Sequence, residues 1–93
     1  MKNKNIIIIR KRLDKLDLSM LSIIKKRNLL VDKILKQKKY KNQIIDKQRI
    51  KIILNKIKKE SKKRKIDPKI TNPIWRSMIR AFINYEFRNF KKK

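Results

Sequence analysis

The sequence predicts an all-α fold of three helices per chain, the first long and shared in an intertwined helical homodimer. Three observations predict it. Apolar residues recur by threes and fours, without a breaker, from Ile6 to about Lys39. The chain has no Gly and only two Pro, both confined to the region before the last apolar stripe. The first helix is also too long for the rest of a 93-residue chain to cover.

The first helix carries Ile6, Ile9, Leu13, Leu16, Met20, Ile23, Ile24, Leu30, Ile34 and Leu35 at helical spacing. The run Ile6 to Ile9 resembles a short strand, but the pattern that follows has a period of 3.6 rather than 2. Some 34 residues at about 1.5 Å each give a rod about 50 Å long. A compact chain of this length has a diameter near 30 Å. Either the helix pairs with a second chain or part of it frays, and the intertwined dimer is the preferred reading.

Tyr40 to Ile45 is a polar connection. Asp46 is positioned to cap a second helix running to about Lys62, with Arg49, Ile52, Ile53 and Ile57 along one side. The run from Glu60 to Lys65 ends it. Asp67-Pro68 supplies a cap followed by Pro at the first helical position. Pro73 removes a backbone donor five residues later, which predicts a separate turn or a kink before a regular helix from about Pro73 to Phe90. Residues 91–93 are expected to form a frayed tail, and the whole of 1–93 a single domain without internal repeats.

Composition excludes most chemistry. With no Cys and no His, the usual zinc sites, thiol nucleophiles and Ser-His-Asp triads have no residues to build them. Without Gly there is no phosphate-cradling loop, and no cofactor or metal is expected. Lys and Arg total 31 against 7 acids, a net charge of +24 that attracts anions. Lys, Ile and Asn have A/T-rich codons, so drift in the gene accounts for part of this charge as readily as a selected surface does. The apolar run near the start is too short for a secretory or transmembrane segment, so a cytoplasmic, soluble protein is expected, with no membrane partner.

Charged residues that interrupt apolar faces mark the candidate site. Arg27 and Lys38 are eleven residues apart, about 20° from overlap on a helix. Arg10 is offset from Arg27 by about 100° and points elsewhere, able to reach a partner in an antiparallel pairing. Arg49 falls between Ile45 and Ile53, and Glu86 extends the stripe of Ile79, Phe82 and Ile83. Taken singly, each cation reads as a solvated or snorkelling side chain, and Glu86 as a salt-bridge partner of Arg80 or Arg88. Together, four cations and one acid inside a helical bundle make a pocket for a small dianion.

The stretch Ile9-Arg10-Lys11-Arg12-Leu13-Asp14-Lys15-Leu16-Asp17, then Leu21, Arg27, Leu30-Val31, Lys38, Asp46-Lys47-Gln48-Arg49, Ile66-Asp67-Pro68 and Trp75-Arg76-Ser77-Met78-Ile79 resembles the all-helical (AroQ-type) chorismate mutase family. The likeness runs from about Ile7 to Glu86. It implies an intertwined homodimer with two sites, each taking the first-helix Arg of the opposite chain, here Arg10. It implies that Arg27 and Arg49 bind carboxylates, and that Lys38 binds near the ether oxygen and one carboxylate. It further implies that the Asp46 backbone contacts the substrate hydroxyl and that Glu86 donates a hydrogen bond to the ether oxygen. Ile34, Ile79 and Ile83 are expected to wall the pocket. The implied reaction is the cofactor-free Claisen rearrangement of chorismate to prephenate, in the biosynthesis of Phe and Tyr. Lys38, Glu86 and Arg27 are the expected catalytic residues.

Three positions depart from the family pattern. Ile50 stands where Glu commonly follows the second-helix arginine, and Phe82 replaces a frequent Ser. Both bear on recognition of the substrate hydroxyl. Glu86 stands where Gln is common. Isochorismate pyruvate lyases, of the same fold, also lack the Glu at the position of Ile50 but usually keep Gln at the ether position. They are the alternative activity. The competing class is a non-enzymatic basic helical protein that binds nucleic acid, supported by the charge and by runs such as Lys62 to Lys65. The basic residues lie all round the helices, however, so nucleic acid is not the expected partner.

Overall fold

The computed structural model describes residues 3–91. It contains α1 (Lys4–Gln37), α2 (Lys47–Lys63) and α3 (Pro68–Asn89), with one 3-10 turn at Lys41–Gln43 and no strand among the described residues. The expected all-α class and the single long first helix are both present.

Two compact units divide the chain, Met1–Val31 and Asp32–Lys93. The first unit is α1 up to Val31. Asn3 starts it: its Oδ1 accepts from the Asn5 amide at 2.9 Å and its carbonyl from Ile7 at 3.2 Å. Along this stretch Ile9, Leu13, Leu16, Met20, Leu21, Ile23 and Ile24 are all exposed. An apolar stripe this long and this bare has the composition of a face meant to be covered.

The second unit holds the end of α1, the connection, α2 and α3, and α2 packs on α3. Leu35 and Ile44 are its buried apolar residues, and Ser61 and Glu86 its buried polar ones. The Ser61 hydroxyl donates to the Ile57 carbonyl at 2.6 Å and shares a 2.8 Å hydrogen bond with Thr71, which ties α2 to α3.

Asp46 caps α2 as expected, its carboxylate accepting from the Arg49 amide at 3.0 Å. The far end of α2 closes without glycine. Lys65 takes a left-handed φ of 57°, the Lys65 amide bonds the Lys62 carbonyl at 3.2 Å, and Ile66 bonds Ser61 at 2.8 Å. This pairing of nested bonds satisfies carbonyls that the helix leaves open. Asp67 caps α3 by accepting from Lys69 at 2.9 Å, with Pro68 at the first position.

Two expectations need correction. The long helix ends at Gln37, so Lys38 stands just beyond it rather than inside it. Nor does Pro73 set off a separate turn: α3 is one helix from Pro68 to Asn89 with Pro73 inside it. A proline in the second turn forfeits only the bond to the Lys69 carbonyl, and Lys69 is exposed, so water can take that acceptor. Of the expected tail, Lys91 lies past the end of α3, and Lys92 and Lys93 lie outside the described residues.

Candidate active site

The second unit brings Lys38 and Glu86 together. Lys38 leaves the end of α1, its amide held to the Leu35 carbonyl at 3.1 Å, and its Nζ donates to Glu86 Oε1 at 2.8 Å. Both side chains are largely withdrawn from solvent, with Glu86 the more buried. Glu86 therefore pairs with a lysine 48 residues away, not with its helix neighbours Arg80 or Arg88. A buried carboxylate and a buried ammonium each need such a partner, since either alone in a dry site is costly. One of the three Lys38 donors goes to Glu86, and among the described residues the others have no acceptor. In this contact Glu86 accepts a hydrogen bond; donating one requires its proton.

Beside this pair, the Tyr85 hydroxyl donates to Asp32 Oδ1 at 2.6 Å. Neither residue stands out in the sequence as a site residue. Their contact joins positions 53 apart, and no local pattern announces it.

An open hollow of about 590 Å³ adjoins Lys38, lined also by Asn42, Gln43, Ile45, Asp46 and Lys47. The Gln43 side chain folds the turn that borders it, accepting from the Lys39 and Tyr40 amides at 2.7 and 2.9 Å. Asp46 and Arg49 are exposed at the start of α2, linked by the cap. The hollow sets Lys38 and Lys47 against one carboxylate, Asp46, which already caps the start of α2.

The first unit holds the other two arginines. Arg10 is exposed on α1. Arg27 is half-buried, and its Nε is shielded from solvent with no hydrogen-bond partner among the described residues. The neighbouring Asn28 Oδ1 is likewise buried and unpaired, a position the sequence does not single out. Orphaned buried polar atoms are uncommon, and a guanidinium left in that state is ready for an anionic acceptor. Of the expected walls, Ile79 and Ile83 are half-buried but Ile34 is exposed. Ile50 and Phe82, the positions that depart from the family pattern, are both half-buried.

No helix among the described residues is long and apolar enough to cross a membrane. The sequence matches the family model described as chorismate mutase type II over residues 9–87. Comparisons with curated proteins and with solved structures gave no match. The family is all-helical and indicates chorismate mutase activity; it favours neither the lyase nor the nucleic-acid reading. A match covering most of the chain, on a fold of three helices with the first one long, leads to one assignment: the chain belongs to the type II chorismate mutase family and is an isomerase.

Proposed function

We propose that the protein acts as a cytoplasmic homodimer, with residues 1–93 forming a single domain, and converts chorismate to prephenate at a site using Arg27, Lys38, Asp46, Arg49, Glu86 and the partner subunit's Arg10. The observation that carries this reading is the buried Lys38–Glu86 contact at 2.8 Å, beside an open hollow lined also by Lys47 and Asp46. The roles of the three arginines come from the family resemblance. The unpaired Arg27 Nε supports one of them. The bare apolar stripe of α1 supports the dimer.

The reaction is unimolecular: one C–O bond breaks as one C–C bond forms, and no proton enters or leaves. The three arginines clamp two carboxylates and select the compact conformer in which the enolpyruvyl group lies over the ring. Negative charge grows on the ether oxygen as the C–O bond lengthens. Lys38 and protonated Glu86 meet it there, each well-placed donor contributing about 3–4 kcal/mol of transition-state stabilisation. The amide end of α2, fixed by Asp46, meets the hydroxyl. Ile79 and Ile83 keep water from the reacting face.

The test is an assay of purified protein with chorismate and, separately, isochorismate, identifying the products. Prephenate from chorismate is expected. Pyruvate and salicylate from isochorismate alone would overturn the reading.

A further inference from the structure

We infer that Tyr85, through its hydrogen bond to Asp32, is a positioning residue that holds Glu86 in register with Lys38; this rests on the roles proposed above for Lys38 and Glu86. Two polar contacts join the end of α1 to α3 within the second unit: Tyr85 Oη to Asp32 Oδ1 at 2.6 Å, and Lys38 Nζ to Glu86 Oε1 at 2.8 Å. Their donors and acceptors are interleaved. Tyr85 and Glu86 are consecutive on α3, and Asp32 and Lys38 flank the buried Leu35 by three residues on either side. Asp32 lies in the last turns of α1 and Lys38 just past its end, six residues further on. Two anchor points that far apart oppose rotation and sliding of α3 on α1.

Rotation is the motion that matters. A group about 6 Å from a helix axis moves by about 1 Å when the helix turns by about 10°. A displacement of about 1 Å at a reacting centre costs as much as 10²-fold in rate. The Lys38–Glu86 pair cannot by itself hold α3, because the reaction diverts both groups to the substrate. The Tyr85–Asp32 bond has no proposed contact with substrate, so the reaction does not call on it. It is also short, as a hydroxyl-to-carboxylate bond is. The donor in this joint is a phenol hydroxyl, not one of the cations proposed to bind substrate.

The test combines Tyr85→Phe, Asp32→Asn and Glu86→Ala, read as kcat, KM and thermal melting. Tyr85→Phe is expected to lower kcat about tenfold with KM within about twofold and the fold intact. Asp32→Asn keeps an accepting oxygen and is expected to retain most of kcat. In the Glu86→Ala background, Tyr85→Phe is expected to cost nothing further, since the group it positions is gone. Normal kcat in Tyr85→Phe, a loss that multiplies with that of Glu86→Ala, or a Tyr85→Phe chain that fails to fold would each overturn the proposal. Normal kcat in Glu86→Ala itself would instead remove Glu86 from the reaction, and the positioning role with it.

Discussion

At the residue scale the proposed chemistry falls on Glu86 and Lys38, and each has a distinct consequence. Glu86 accepts from Lys38. To serve the ether oxygen it must donate, which only its protonated form can do. Glu86→Gln carries a permanent amide donor and still offers Lys38 a carbonyl oxygen, so it is expected to keep or raise kcat. A large loss of kcat in Glu86→Gln, in a steady-state assay, would show that Glu86 does not act as a donor. Lys38→Ala removes a cation from the developing negative charge and strands a buried carboxylate. It is expected to lower kcat by about 10²–10³-fold, the range for loss of one well-placed donor. Near-normal turnover in a steady-state assay would remove Lys38 from the mechanism.

At the scale of the helix, ends and interruptions decide what could be read in advance. Asp46 and the Asp67-Pro68 pair are visible in the sequence because capping is local: the carboxylate reaches an amide two or three residues on. Pro73 misleads because the penalty for an interior proline depends on whether the freed carbonyl meets water, and that is a tertiary fact. The close of α2 lacks its usual sign, a glycine, because the chain has none. Lys65 instead accepts the left-handed backbone at φ 57°. For a residue with a Cβ that conformation costs about 1–2 kcal/mol, which glycine avoids. Lys65→Gly should therefore stabilise the protein, by about 1 kcal/mol once the extra freedom of glycine in the unfolded chain is offset. Urea melts at constant slope would register it as a higher midpoint; a lower midpoint would mean that the Lys65 side chain matters more than its backbone. The site follows the same division. Lys38 and Glu86 each stand out as polar residues at helical stripes, whereas their pairing across 48 residues, and that of Tyr85 with Asp32, exists only once α3 lies against the end of α1.

The whole molecule raises two questions, how α1 is covered and what the charge does. If a second copy covers the bare stripe of α1 and lends Arg10, two defective chains must be able to repair each other. Mixed dimers of Arg10→Ala and Arg27→Ala chains contain one site lacking both arginines and one site lacking neither. Random exchange makes half the dimers mixed, so the mixture should recover about a quarter of normal activity where neither parent has any. No recovery despite exchange would place both arginines in the same chain's site. The net charge of +24 can be tested in the same assay. Few of the 31 cations are neutralised: apart from the Lys38–Glu86 pair, the ion pairs among the described residues join exposed Lys63 and Arg64 to Glu60. Such surface pairs do little for stability, and the remaining cations set a positive field around the molecule. A dianionic substrate is drawn in by that field before it touches any residue. Salt screens the approach, with a Debye length of about 30 Å at 0.01 M and about 3 Å at 1 M, but hardly reaches contacts inside a closed pocket. The field should therefore act on capture and not on the chemical step. From low to high salt, kcat/KM is expected to fall at least about tenfold, carried by KM, while kcat stays within about twofold. A kcat/KM that ignores salt would mean that the surface lysines do nothing for the reaction and that nucleotide bias in the gene is sufficient reason for them.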